Sequence, residues 1–123
     1  GILKAMDYYR NHPEFSSEVH HYERLTQAGF SNLDESEIRS TGYVVDTLEA
    51  AVWCLLTTES FRDCVLKAVN LGRDTDTVGA VAGGLAGLYY GYESIPDEWL
   101  SVIARRDYVE GLCNSLHASL GKI

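Results

Sequence analysis

The chain has 123 residues, 46% of them hydrophobic, which is enough for one domain with a buried core. Eighteen Asp and Glu against ten Lys and Arg leave a formal net charge of -8. That balance repels phosphate backbones and anionic lipid, so neither nucleic acid nor a membrane is expected as a general partner.

Taken in chain order, Ile2, Leu3, Met6 and Tyr9 follow helical spacing with no capping residue ahead of them. The chain reads as starting inside a helix, and a piece excised from something longer is the expectation. His12-Pro13 should end that helix, and residues 14 to 41 mix short helical stretches with loops around Gly29 and Asn32.

Asp46 and Glu49 form a capping box by residue type. Leu48, Ala51, Val52, Leu55 and Leu56 then supply the apolar face of a helix. Ser60 and Asp63 repeat the pattern ahead of Phe61, Cys64, Val65, Ala68 and Val69, with Thr57 to Glu59 as the turn between and Gly72 as the stop. A third helix should run from about Thr75 to Tyr90, carrying Gly79, Gly83 and Gly87, with Gly91 just beyond. Each interior glycine costs about 0.5 to 1 kcal/mol relative to alanine, and close approach of another helix is the natural compensation.

Ser94, Pro96, Asp97 and Glu98 begin a further turn, and Val109, Leu112, Cys113, Leu116 and Leu120 define a last helix. Strand alternation is nowhere sustained, so the predicted fold class is all-α, a compact multi-helix bundle forming one domain over residues 1–123. Cys54, Cys64 and Cys113 are odd in number and lack a Cys-x-x-Cys pairing. They read as buried thiols of a reducing, cytoplasmic compartment. The apolar run from Val78 to Tyr92 is shorter than the roughly 20 residues that cross a bilayer.

The chemistry concentrates in Asn70-Leu71-Gly72-Arg73-Asp74-Thr75-Asp76-Thr77. Asp-x-Asp-Thr can aim two carboxylates and a hydroxyl at one region, the donor type that Mg²⁺ and Ca²⁺ prefer. Capping of the following helix by Asp74 or Thr75 is the competing explanation. An EF-hand fails, because counting from Asp74 places Val78, Ala82 and Leu85 where oxygen ligands are needed. Asp46 and Glu49 could do acid and base work, yet capping accounts for both. Tyr43 alone reads as a core aromatic, and Trp53 and Trp99 read as core or surface-anchoring residues.

Three ordered blocks resemble the C-terminal half of the ADP-ribosylglycohydrolase family: Gly42-Tyr43-Val44-Val45-Asp46-Thr47-Leu48-Glu49-Ala50-Ala51, Ala68-Val69-Asn70-Leu71-Gly72-Arg73-Asp74-Thr75-Asp76-Thr77, and Gly83-Gly84-Leu85-Ala86-Gly87-Leu88-Tyr89-Tyr90-Gly91. The match covers roughly residues 40 to 116. The resemblance implies two adjacent Mg²⁺ ions in a cleft among helices, with Asp74, Asp76 and Thr77 as metal ligands. It also implies that Ser40, Thr41, Gly42, Tyr43 and Val44 form a substrate loop, with Gly72 and Arg73 flanking the metal turn. Arg73 departs from the small or acidic residue associated with that position.

The family's other metal motif, a Thr-Asp-Asp-Thr type run, has no counterpart here. Adjacent acids occur only at Asp34-Glu35 and Asp97-Glu98, without flanking hydroxyls. The implied function is a Mg²⁺-dependent hydrolase removing ADP-ribose from modified proteins or small conjugates, with no catalytic residue beyond the metal ligands. This chain alone is then expected to hold at most one ion weakly and to be inactive. Two other readings stand beside it. One is a non-catalytic module binding ADP-ribose and metal. The other is a structural domain that dimerises through its glycine stripe or through a surface the N-terminal half would cover.

Overall fold

A computed structural model describes residues 1–121; among them six α-helices are joined by 3-10 turns, and there is no strand. The helices are α1 (Ile2–Arg10), α2 (Val44–Leu56), α3 (Phe61–Asn70), α4 (Thr75–Tyr90), α5 (Asp97–Leu100) and α6 (Arg106–Leu120). A 3-10 run over Ser16–Thr26 and short turns at Phe30–Asn32 and Glu35–Glu37 fill the stretch expected to be irregular. The all-α class is as predicted, and among the described residues no helix is long and apolar enough to cross a membrane.

The core is a sandwich of α2, α3 and α4 around Ala50, Ala51, Cys54, Cys64, Ala68, Val78, Ala82 and Ala86, each of which is fully buried. Ser60 caps α3 as expected, its hydroxyl accepting from the Asp63 N–H at 3.0 Å. The glycines of α4 face α3. A methyl group built on Gly79, Gly83 or Gly87 would meet Val69, Val65 or Phe61 at 2.9, 3.7 and 3.9 Å respectively. The two four-residue repeats run antiparallel, and the missing Cβ atoms of the glycines leave room for the α3 side chains. The stripe is thus occupied within the chain by α3.

Helix α2 departs from its predicted single apolar face. Thr47, Glu49 and Trp53 are buried along with Val45, Ala50, Ala51, Val52 and Cys54, whereas Leu56 is exposed. A helix packed on several sides loses its polar face, and here α3, α4 and the 3-10 segments surround it. Nor do Asp46 and Glu49 make a capping box. The helix begins three residues earlier, with Tyr43 as its N-cap and Val44 its first residue, and Glu49 points inward to an ion pair with Arg24 at 3.1 Å. Arg24 also donates to the Glu37 carbonyl at 2.9 Å, tying the 3-10 segments to α2. Burial pushes the Glu49 carboxyl above its ordinary value, against the opposing pull of Arg24.

Cys54 and Cys64 are buried, and loss of solvent raises both thiols, Cys54 to about 12. Cys113 is exposed, contrary to expectation, because α6 buries none of its residues. Its apolar positions Val109, Leu112, Leu116 and Leu120 keep helical spacing but face outward.

Two outcomes follow from this packing. Gly84 is exposed with open space around it, so Gly84→Ala should stabilise the fold by about 0.5 to 1 kcal/mol. Gly79→Ala should destabilise it by about 1 kcal/mol, since the β-branched Val69 must move. Denaturation midpoints check the pair, and equal gains would contradict the close-approach account. For Glu49, whose folded value is raised, the cost of its buried charge is present at neutral pH and disappears as pH falls toward 4.5. Glu49→Gln should therefore gain most on the parent protein at pH 7, with the difference shrinking toward pH 4.5. A difference that grows on acidification would mean that the ion pair outweighs burial.

Candidate metal and substrate site

The turn between α3 and α4 has a backbone that few sequences permit. Gly72 has φ 84° and Arg73 φ 64°, two successive left-handed residues between the end of α3 and the start of α4. Glycine accepts that conformation freely, whereas arginine pays on the order of 1 kcal/mol for it. The Arg73 side chain is exposed. This reversal swings the chain so that α4 starts directly beneath residues 40–42.

Asp74, the residue before α4, makes no side-chain cap. Its carboxylate instead accepts from the Thr77 hydroxyl at 3.0 Å. The Asp76 carboxyl is held below the usual carboxylate range, first by the neighbouring Asp74 carboxyl, which can donate to it only when itself protonated, and then by the backbone N–H groups of Thr77 and Asp76. The three side chains predicted as metal ligands thus converge at the start of α4. Asp74 is half-buried, while Asp76 and Thr77 face solvent. Simple capping does not describe Asp74, although Asp76 does sit favourably at the positive end of the helix dipole.

The predicted substrate loop meets this turn. The Asp74 N–H donates to the Ser40 carbonyl at 3.1 Å. A methyl group on Gly42 would stand 3.3 Å from the second Asp74 carboxylate oxygen, so a bare glycine suits the contact. Thr41 folds the loop onto the first turn of α2, donating from its hydroxyl to Asp46 at 2.6 Å and accepting there from the Tyr43 N–H at 3.1 Å. Its carbonyl accepts from the Thr47 hydroxyl at 3.2 Å. The Ser40 hydroxyl is buried with no hydrogen-bond partner among the described residues. Tyr43 and Val44 are exposed, so Tyr43 is not the core aromatic that its residue type suggested.

Other candidates go elsewhere. Trp53 is core, donating from its indole to the Leu33 carbonyl at 3.2 Å with the Lys67 ammonium 3.9 Å from the ring centre. Asp34 caps the Glu35–Glu37 turn, and Glu98 pairs with Arg62. Among the described residues, no three His, Cys, Asp or Glu side chains gather where they could hold a metal ion. The turn itself offers two carboxylates and one hydroxyl, all hard oxygen donors, which fits magnesium better than zinc.

The link from Thr41 to Asp46 was missed by local reading. Its only sequence signal is the Thr-x-x-x-x-Asp spacing across a helix start, which the capping rule explains away.

Comparison with known proteins gives the arrangement its context. The family model for ADP-ribosylglycohydrolase matches residues 2–122. An ADP-ribosylarginine hydrolase, Tri1, of Serratia proteamaculans is 44% identical over 93 residues, covering 75% of this chain and 25% of that protein. The ADP-ribosyl-[dinitrogen reductase] glycohydrolase of Rhodospirillum rubrum is 44% identical over 63 residues, 51% of this chain and 21% of its own. The ADP-ribosylhydrolase ARH3 of Bos taurus is 29% identical over 93 residues, 67% and 26% respectively. The chain spans about a quarter of the length of these curated relatives. With two of its ordered motifs meeting at one turn and the family model running along almost its whole length, the chain belongs to the ADP-ribosylglycohydrolase family.

Proposed function

We propose that this chain carries one half of a magnesium-dependent site that hydrolyses ADP-ribose conjugates. The observation that carries the reading is the junction of the loop and the turn, the Ser40 carbonyl on the Asp74 N–H with Gly42 beside the Asp74 carboxylate. In this reading Asp74, Asp76 and Thr77 hold the ion, and Ser40 to Val44, with Gly72 and Arg73, receive the ADP-ribose.

Exposed Tyr43 offers a ring to the adenine or ribose, and Gly42 lets a phosphate or ribose approach the backbone. Arg73 is near enough along the chain to offset the charge of the diphosphate. Magnesium, when bound, would supply the positive charge that draws vicinal ribose hydroxyls together and acidifies a water. Two carboxylates and a hydroxyl with water completing the shell make a weak site, with a dissociation constant on the order of millimolar. The substrate class follows the relatives, whose names place them on ADP-ribosylarginine and on ADP-ribosylated dinitrogen reductase.

Calorimetry and a turnover assay test the reading together. The chain should bind Mg²⁺ weakly and ADP-ribose detectably. Asp74→Asn and Asp76→Asn should each abolish the ion's effect, and ADP-ribosylarginine should stay intact for lack of the other half-site. Robust turnover would refute the half-site reading. Magnesium binding indifferent to both substitutions would refute the ligand assignment, and tight ADP-ribose binding without hydrolysis or metal would favour a pure binding module.

A further inference from the structure

We propose that Asp46 is a positioning residue, acting through Thr41 to hold the Ser40–Gly42 loop against the acidic turn. The bond from the Thr41 hydroxyl to the Asp46 carboxylate is 2.6 Å, at the short end for a hydroxyl donor. Asp46 lies in the first turn of α2, a helix clamped on several sides, so its carboxylate is a fixed point.

Thr41 then uses three polar groups on α2 or its approach: the hydroxyl as donor to Asp46, the same oxygen as acceptor from Tyr43, and the carbonyl as acceptor from Thr47. With Thr41 so restrained, the preceding carbonyl, that of Ser40, is presented to the Asp74 N–H. The loop's own hydrogen bonding is not optimal, since the Ser40 hydroxyl is buried without a partner among the described residues. The placement is therefore imposed from α2 rather than chosen by the loop.

An acid at this point of a helix needs no further explanation by itself, because it favours the dipole wherever its carboxylate lies. What sets Asp46 apart is that its carboxylate turns back out of the helix to the loop five residues earlier. Glu49, one turn on, turns inward to Arg24 and has no part in it. The consequence for ligand rests on the function proposed above, whereas the mechanical link does not.

Amide exchange of the Asp74 N–H, followed by NMR on the full chain without ligand, tests the link directly. Asp46→Ala and Thr41→Val should each speed that exchange at least tenfold beyond their effect on global stability. The double variant should add little to either alone. Thr41→Ser keeps the hydroxyl and should restore protection, and Asp46→Asn, which keeps an acceptor, should fall between. Val52→Ala, a core truncation further along α2, serves as the reference for generalised loosening. Exchange at Asp74 in Asp46→Ala and Thr41→Val no faster than in Val52→Ala overturns the proposal.

Calorimetry with ADP-ribose supplies the second arm, with Asp46→Ala weakened at least tenfold. Lost Asp74 protection with unchanged ADP-ribose affinity overturns the positioning role. Failure of the parent chain to bind ADP-ribose counts against the proposed function instead, and the exchange arm still decides whether Asp46 holds the loop.

Discussion

The hydrogen bond from the Asp74 N–H to the Ser40 carbonyl, 3.1 Å long, joins the two parts of this molecule to which the proposed function assigns chemistry. One part is a loop ahead of α2 and the other a turn ahead of α4, more than thirty positions apart along the chain. Under the proposed function neither would make a site alone: a turn with two carboxylates and a hydroxyl has no means of orienting a nucleotide, and a Gly-Tyr loop has no charge with which to polarise one.

The junction exists because α2, α3 and α4 pack with little freedom. Gly79, Gly83 and Gly87 let α4 lie close against α3, and fully buried alanines do the same where α4 meets α2. Glycines that weaken an isolated helix are compensated here by contact, and the start of α4 is placed with them. The left-handed pair Gly72 and Arg73 completes the placement by reversing the chain in very few residues. Strain at Arg73 is tolerable because the helices on both sides are independently fixed.

Much of this was legible from local rules. Helix α3 starts at a serine cap and ends before a left-handed glycine, and α4 runs between the same residues that the pattern marks. The acidic turn stood out because hard oxygen donors rarely crowd so closely without purpose. What local rules misread was whatever depends on a distant partner. Asp46 and Glu49 satisfy a capping pattern, yet one is taken by Thr41 and the other by Arg24, twenty-five positions away. Periodicity placed Cys113 on an apolar face of α6 correctly as far as spacing goes, but could not say whether anything packs there. Tyr43 looked like core by type and lies exposed, because as the residue before α2 it is held by its backbone N–H on the Thr41 hydroxyl rather than by burial.

The proposed function requires Asp74, Asp76 and Thr77 to share one divalent cation, and diffraction from crystals soaked in Mn²⁺ as an anomalous stand-in for Mg²⁺ addresses this most directly. The prediction is an anomalous peak roughly 2 Å from carboxylate oxygens of Asp74 and Asp76, beside the Thr77 hydroxyl and facing Gly42. Occupied lattice sites elsewhere with no peak at this turn, and the two carboxylates splayed apart, would contradict it.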